Sequence, residues 1–100
     1  MKQIIHGKKY DTETATMLGE TWEGVPSDFR YYREELYRKK NGEFFLYGTG
    51  GAMSAYSQST GDSVMGGERI IPYTESDAKE WAEKNLTVEE YENVFGEVEE

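Results

Sequence analysis

The stretch from Tyr31 to Thr49 constrains the fold more than any other part of the chain. Two aromatic-rich runs flank Lys40-Asn41-Gly42, a turn signal between β-forming segments, which predicts an antiparallel hairpin. A three-residue loop with Gly42 in the left-handed conformation sets Leu36, Phe44 and Leu46 on one face and Tyr37, Phe45 and Tyr47 on the other; a two-residue loop would regroup them. Both faces then carry large side chains, so either both are covered or one is open and binds something.

The remainder of the chain arranges itself around that hairpin. Ile4-Ile5-His6-Gly7-Lys8-Lys9-Tyr10 reads as a second, smaller hairpin with a tight His-Gly turn. Asp11 and Thr12 are helix-capping types, and Ala15, Leu18 and Trp22 recur at three and four residues, which predicts a helix over about 12 to 19. Val25-Pro26-Ser27-Asp28 is a turn. The Gly-, Ser- and Thr-rich segment from Gly48 to Gly67 should hold one weak strand near Ala52 to Ser57 and a mobile loop, with Met53, Tyr56, Val64 and Met65 as its anchors. Arg69-Ile70-Ile71 predicts a further strand, ended by Pro72.

Two helices close the chain. Thr74 with Asp77 starts the first, whose Ala78, Trp81, Ala82, Asn85 and Leu86 share one side. Thr87 with Glu90 is a capping box for the second, which would turn Val88, Tyr91, Val94 and Phe95 inward and stop at Gly96. With no internal repeat and 100 residues, the expectation is one α+β domain over 1–100: a small antiparallel β-sheet with an N-terminal helix and two C-terminal helices packed on it. Hydrophobic residues make up only 36%, but 14 aromatic residues supply large buried areas and favour a folded chain. No apolar run approaches a membrane span and no secretory signal is visible, so a cytoplasmic location is expected.

Catalytic motifs are lacking. His6 is the sole histidine and there is no cysteine, which removes thiolate chemistry and a histidine-cysteine zinc site; no Asp-rich calcium loop is present either. Gly48-Thr49-Gly50-Gly51 lacks the Lys-Ser or Lys-Thr that completes a phosphate loop and reads as glycine relief at a strand end. The sheet aromatics beside Arg33, Arg38, Lys39 and Lys40 resemble a platform for single-stranded nucleic acid, but the charge balance opposes a polyanion. The reading is a non-enzyme without catalytic residues, metal or cofactor.

Charge is where the sequence points to a partner. Of a net −9, residues 73–100 carry ten acidic and two basic side chains, whereas residues 1–72 are nearly balanced. In the first helix Glu75 and Glu80 each precede a lysine by four residues; residues 87–100 contain no basic residue. Helical spacing places Glu89, Glu90, Asn93 and Glu97 on the face away from Val88, Tyr91 and Phe95, and Glu80 and Glu83 add to it from the first helix. Such a row imitates phosphates and would attract a basic nucleic-acid-binding protein while repelling nucleic acid and anionic membrane. A neutral binding surface at Tyr37, Phe45, Tyr47 and the Gly-rich loop is the alternative.

Three runs also carry a resemblance: Gly7-Lys8-Lys9-Tyr10-Asp11-Thr12-Glu13-Thr14-Ala15, then Glu35 through Gly48, then Ala78-Lys79-Glu80-Trp81-Ala82-Glu83. With the Glu89-Glu90-Tyr91 to Phe95-Gly96 ending, the chain resembles a family of small, mostly uncharacterised proteins carried by phages and mobile elements of Gram-positive bacteria. His6 stands where that family's pattern would have Asn before Gly7. The resemblance implies an anti-defence role of the anti-CRISPR or anti-restriction type, with a CRISPR effector such as a Cas nuclease as partner. It brings no catalytic or binding residues with it.

Overall fold

Four strands of the central sheet are laid down by the pattern around the Tyr31–Thr49 hairpin. The computed structural model describes all 100 residues. In chain order they form β1 (Lys2–Ile5), β2 (Lys8–Asp11), β3 (Thr16–Glu23), β4 (Tyr32–Arg38), β5 (Phe44–Gly50), β6 (Gln58–Thr60), β7 (Ser63–Met65), β8 (Gly67–Tyr73), α1 (Glu75–Asn85) and α2 (Val88–Phe95). The main sheet is antiparallel in the order β3-β4-β5-β8, while β1-β2 and β6-β7 are separate hairpins. The fold is therefore α+β, with both helices at the C-terminal end.

The β4-β5 turn has the three-residue form. Lys39 donates to the Glu43 carbonyl at 2.7 Å, the Gly42 N–H reaches the Lys39 carbonyl at 2.9 Å, and Gly42 takes φ 92°. Register follows from that turn, pairing Leu36 with Leu46 and Tyr37 with Phe45. Directly opposed residues share a face, so the two apolar sets separate as the sequence predicts. Leu36, Phe44 and Leu46 join Ala78, Trp81 and Ala82 in one core. Tyr37 and Phe45 join Tyr10 and Ile70 in a second core beneath the β1-β2 hairpin. Tyr37 stacks on Phe45 at 5.1 Å, and Tyr10 meets Phe45 edge-on at 5.5 Å. Both faces are thus covered over the half of the sheet nearest this turn.

Residues 12 to 19 do not form a helix. After a turn at 12–15, the chain enters β3, which pairs with β4 from Thr16 opposite Arg38 to Glu23 opposite Tyr32. The Ala15-Leu18-Trp22 spacing that suggests a helix is equally satisfied by a strand with an extra residue. A bulge between Met17 and Gly19 turns Leu18 onto the helix-covered core. Thr16, Thr21 and Trp22 are β-formers, and without β3 the inner strand β4 would have an unpaired edge. Trp22 stays 57% exposed, with the Arg33 guanidinium 5.6 Å from its ring.

The Gly-rich segment also departs from expectation. Residues 52–57 are turns rather than a strand, and the strands lie later, at β6 and β7, around a Gly61-Asp62 tip with Gly61 at φ 65°. Folding back at 54–56 lets Tyr56 plug the space over Gly48, where a Cβ would overlap its ring. β8 passes through Pro72 and ends at Tyr73, because an edge strand tolerates a missing N–H.

The β1-β2 hairpin is tied to the β4-β5 turn through Glu43, which accepts from Lys8, Lys39 and Asn41. The Lys8 hydrogen bond, then those of Asn41 and Lys39, lower the Glu43 carboxyl from 4.5 to about 2. A depressed folded value means the contribution is present above the unfolded value and is lost as pH falls through the folded one. In an acid titration followed by NMR, Glu43 is therefore expected to protonate near 2, and Lys8→Ala to move it back toward 4.5. An unchanged Glu43 titration in that variant would refute the tether.

Candidate protein-binding surface

The helical layer is built by two capping boxes. Thr74 Oγ1 accepts from the Asp77 N–H at 3.0 Å, while Asp77 Oδ2 accepts from the Thr74 N–H at 3.0 Å. Thr87 and Glu90 repeat the arrangement at 3.2 and 2.9 Å. Each box satisfies N-terminal donors and is worth about 1 kcal/mol. Ala78, Trp81 and Ala82 bury one side of α1; Leu86, Tyr91 and Phe95 pack beside them, with Phe95 5.8 Å from Phe44. Val88 does not turn inward as its spacing suggests. It is 74% exposed, at the first position of α2.

Four of the five ion pairs lie outside the helical layer. On the sheet side Glu20 and Glu35 both pair with Arg33, and Glu43 with Lys8 and Lys39. Among the ten carboxylates of residues 73–100 one alone has a cationic partner, Glu80 with Lys84 at 3.5 Å. Lys79 does not pair with Glu75; its ammonium lies 5.7 Å from the Phe95 ring centre. The resulting negative field reaches Tyr73, whose hydroxyl is raised first by burial and then by Glu34, Asp77 and Glu80.

The row drawn from helical spacing is rearranged by local geometry. Glu83, Glu89 and Asn93 are exposed, the two carboxylates without ion-pair partners. Glu90 is exposed but engaged in the capping box. Glu97 does not continue the row, because Gly96 ends the helix at φ 93° and turns the chain. That turn lets the Val98 N–H reach the Glu92 carboxylate at 3.0 Å. It also brings residues 98–100 beside the α1-α2 junction, where they help line an open groove of about 650 Å³. Leu86, Val88, Tyr91 and Val98 form its apolar lining, and Glu83, Glu92, Glu99 and Glu100 its rim. No basic residue lines it. Glu92, Glu99 and Glu100 were not singled out from the sequence, since only the turn at Gly96 brings the last residues back.

The alternative surface loses two of its residues. Phe45 is 0% exposed and Tyr37 is buried, with its hydroxyl donating to Glu35 at 2.8 Å. Tyr47 is half-buried, and its hydroxyl donates to Glu68 at 2.8 Å; burial and then that carboxylate push it up to about 12. An open apolar surface exists elsewhere. Met53 N–H bonds to the Phe29 carbonyl at 2.7 Å and Gly51 N–H to the Tyr31 carbonyl at 2.8 Å, holding the 24–31 loop against the Gly-rich segment. Between them a cavity of about 570 Å³ includes Phe29, Val64 and Met65, of which Phe29 is 68% exposed. Phe29 escapes sequence reasoning because it is isolated in a polar turn.

His6 occupies the β1-β2 turn at φ 51°, where the side chain is exposed. No helix is long and apolar enough to cross a membrane. No protein-family model, curated protein or solved structure matches the chain significantly.

Proposed function

We propose that this chain is a non-enzymatic anti-defence protein of the anti-CRISPR type, carried by a phage or mobile element. It occupies the basic nucleic-acid channel of an effector such as a Cas nuclease, one molecule to one target. The observation that carries the reading is the charge excess of the α1-α2 layer: nine of the ten carboxylates in residues 73–100 have no cationic partner and only two basic residues lie among them, whereas residues 1–72 are nearly balanced in charge. A fixed anionic surface on two capped helices pre-organises charge, which favours fast, salt-sensitive encounter with a basic groove. The host cytoplasm is where such a target lies.

Glu83 and Glu89, with the exposed Glu97 just past the helix end, are the residues to reverse, since changing Glu90 would also remove a helix cap. Glu83→Lys/Glu89→Lys/Glu97→Lys is expected to weaken inhibition of Cas-nuclease DNA cleavage by about 100-fold or more, with circular dichroism unchanged. Wild-type inhibition should fall by about tenfold or more between roughly 0.1 and 0.5 M salt, as screening shortens. Full potency in the triple variant would refute the reading. The exposure of Phe29 and Met65 favours a second one, a neutral docking module at the 570 Å³ cavity. Loss of binding on Phe29→Asp, with no effect of salt or of the glutamate reversals, would select it.

A further inference from the structure

The two edges of the main sheet are treated differently. Along β8, Pro72 removes one N–H, and Gly67 is crowded by the Tyr56 carbonyl and the Gln58 side chain. Both devices blunt an edge. β3 has neither. It is eight residues long, contains no proline or lysine, and pairs only with β4. No backbone hydrogen bond outside the strand ladders involves Thr16 to Glu23, and no side chain bonds to the backbone there. Its outward N–H and C=O groups are therefore open to water, a ready template for another strand.

The side chains along that edge say what kind of strand fits. Register places Met17, Glu20 and Trp22 on one face of β3 and Thr21 and Glu23 on the other. Met17 and Trp22 are both about half exposed, at 47% and 57%. Glu20 and Glu23 are its only charged residues, and Glu20 shares Arg33 with Glu35. We propose that β3 is a docking edge for an extended, lysine- or arginine-bearing segment of another protein, added to the sheet as a fifth strand. Basic side chains on both faces of the added strand suit these features: those on one face cover Met17 and Trp22 with their aliphatic stems and bring their charged ends to Glu20, and those on the other face meet Glu23. A second copy of this chain fits worse. Pairing β3 with itself gathers four carboxylates along one short seam between two chains of net charge −9 each. The proposal does not rest on the acidic helical layer.

The test uses the full chain and an acetylated, amidated heptapeptide of lysine and valine in which lysines occupy both odd and even positions, so that both faces carry charge. Two control peptides are needed, one with glutamate in place of lysine and one with a central proline. Amide hydrogen exchange by NMR should slow at alternate residues of Thr16–Glu23, by about tenfold at a lysine-valine peptide concentration ten times its Kd. Neither control should slow it. Trp22→Lys and, independently, Glu23→Lys are each expected to weaken the peptide about tenfold or more while leaving circular dichroism unchanged. The proposal is overturned by absence of slowing, by equal slowing with the glutamate peptide, or by slowing confined to α2. It is equally overturned if protection of β3 appears without peptide and grows with protein concentration, since a second copy is then the occupant.

Discussion

Gly48→Ala is expected to destabilise the chain by about 3 to 5 kcal/mol, for a change of one methyl group. Gly48 lies in β5, an inner strand, and the Tyr56 ring occupies the volume a Cβ would take. Elsewhere a flexible side chain could give way. Here the ring is pinned, since its hydroxyl donates to Glu34 and Arg69 lies 5.3 Å from its face. Alanine must either bend β5 or expel Tyr56, and expulsion strands Glu34 and reopens the Gly-rich segment. For a domain this size each kcal/mol moves Tm by about 4 to 8 °C, so a loss of about 15 °C or more is expected in thermal melts. Tyr56→Ala supplies the control. The Gly48→Ala/Tyr56→Ala double variant should be no less stable than Tyr56→Ala alone, because the obstruction is already gone. Additive losses would show that the cost of Gly48→Ala arises elsewhere.

The second large effect is at Glu34. Its Oε1 accepts from the Trp81 indole N–H at 2.9 Å and its other oxygen from the Tyr56 hydroxyl. One carboxylate thereby joins the sheet, the Gly-rich segment and α1. Burial first, then the Glu34 hydrogen bond and charge, push the Tyr56 hydroxyl well above its ordinary value of 10. Glu34→Ala leaves both donors unpaired and is expected to cost about 3 kcal/mol. Glu34→Gln should cost about half that. Its carbonyl can still take the indole N–H, and its amide can donate to the tyrosine oxygen, which accepts as well as donates. Urea unfolding of the two variants decides the matter: equal costs would mean that side-chain volume rather than hydrogen bonding holds the junction. The raised Tyr56 value also sets the alkaline side. Its contribution is complete below 10 and is lost as pH climbs toward the folded value, and Glu34→Ala should remove that part of the alkaline transition.

Features encoded locally were legible in the sequence. Lys40-Asn41-Gly42 names its turn, the turn sets the register, and the register sorts Leu36 and Phe45 to opposite faces. The capping boxes at Thr74 and Thr87 likewise announce both helices. What escaped depends on partners far along the chain. A stripe at Ala15, Leu18 and Trp22 suits a helix until the unpaired edge of β4 is considered, and one bulge reconciles it with a strand. The glycine at 48 reads as strand-end relief, although its neighbour is a tyrosine eight residues on. For the acidic surface, composition located the charge in residues 73–100. The capping duties of Asp77 and Glu90 are legible as well; what geometry adds is that Glu92 is tied to the Val98 N–H and that Glu97 lies past the helix end, which sets them apart from Glu83 and Glu89.

The order of strands across the main sheet bears on how the molecule assembles. β3, β4 and β5 pair with sequence neighbours, so three quarters of the sheet closes through short loops before any helix is needed. β8 must cross from residue 50 to residue 67, a distance that the β6-β7 hairpin shortens by pairing within itself. The Trp81–Glu34 bond, 47 residues apart in sequence, can form only after that. The nearly neutral first 72 residues thus hold all eight strands but for the last residue of β8, and the acidic last 28 hold both helices. The carboxylate-rich layer then docks onto a finished surface, and its mutual repulsion enters the folding path only at the last step.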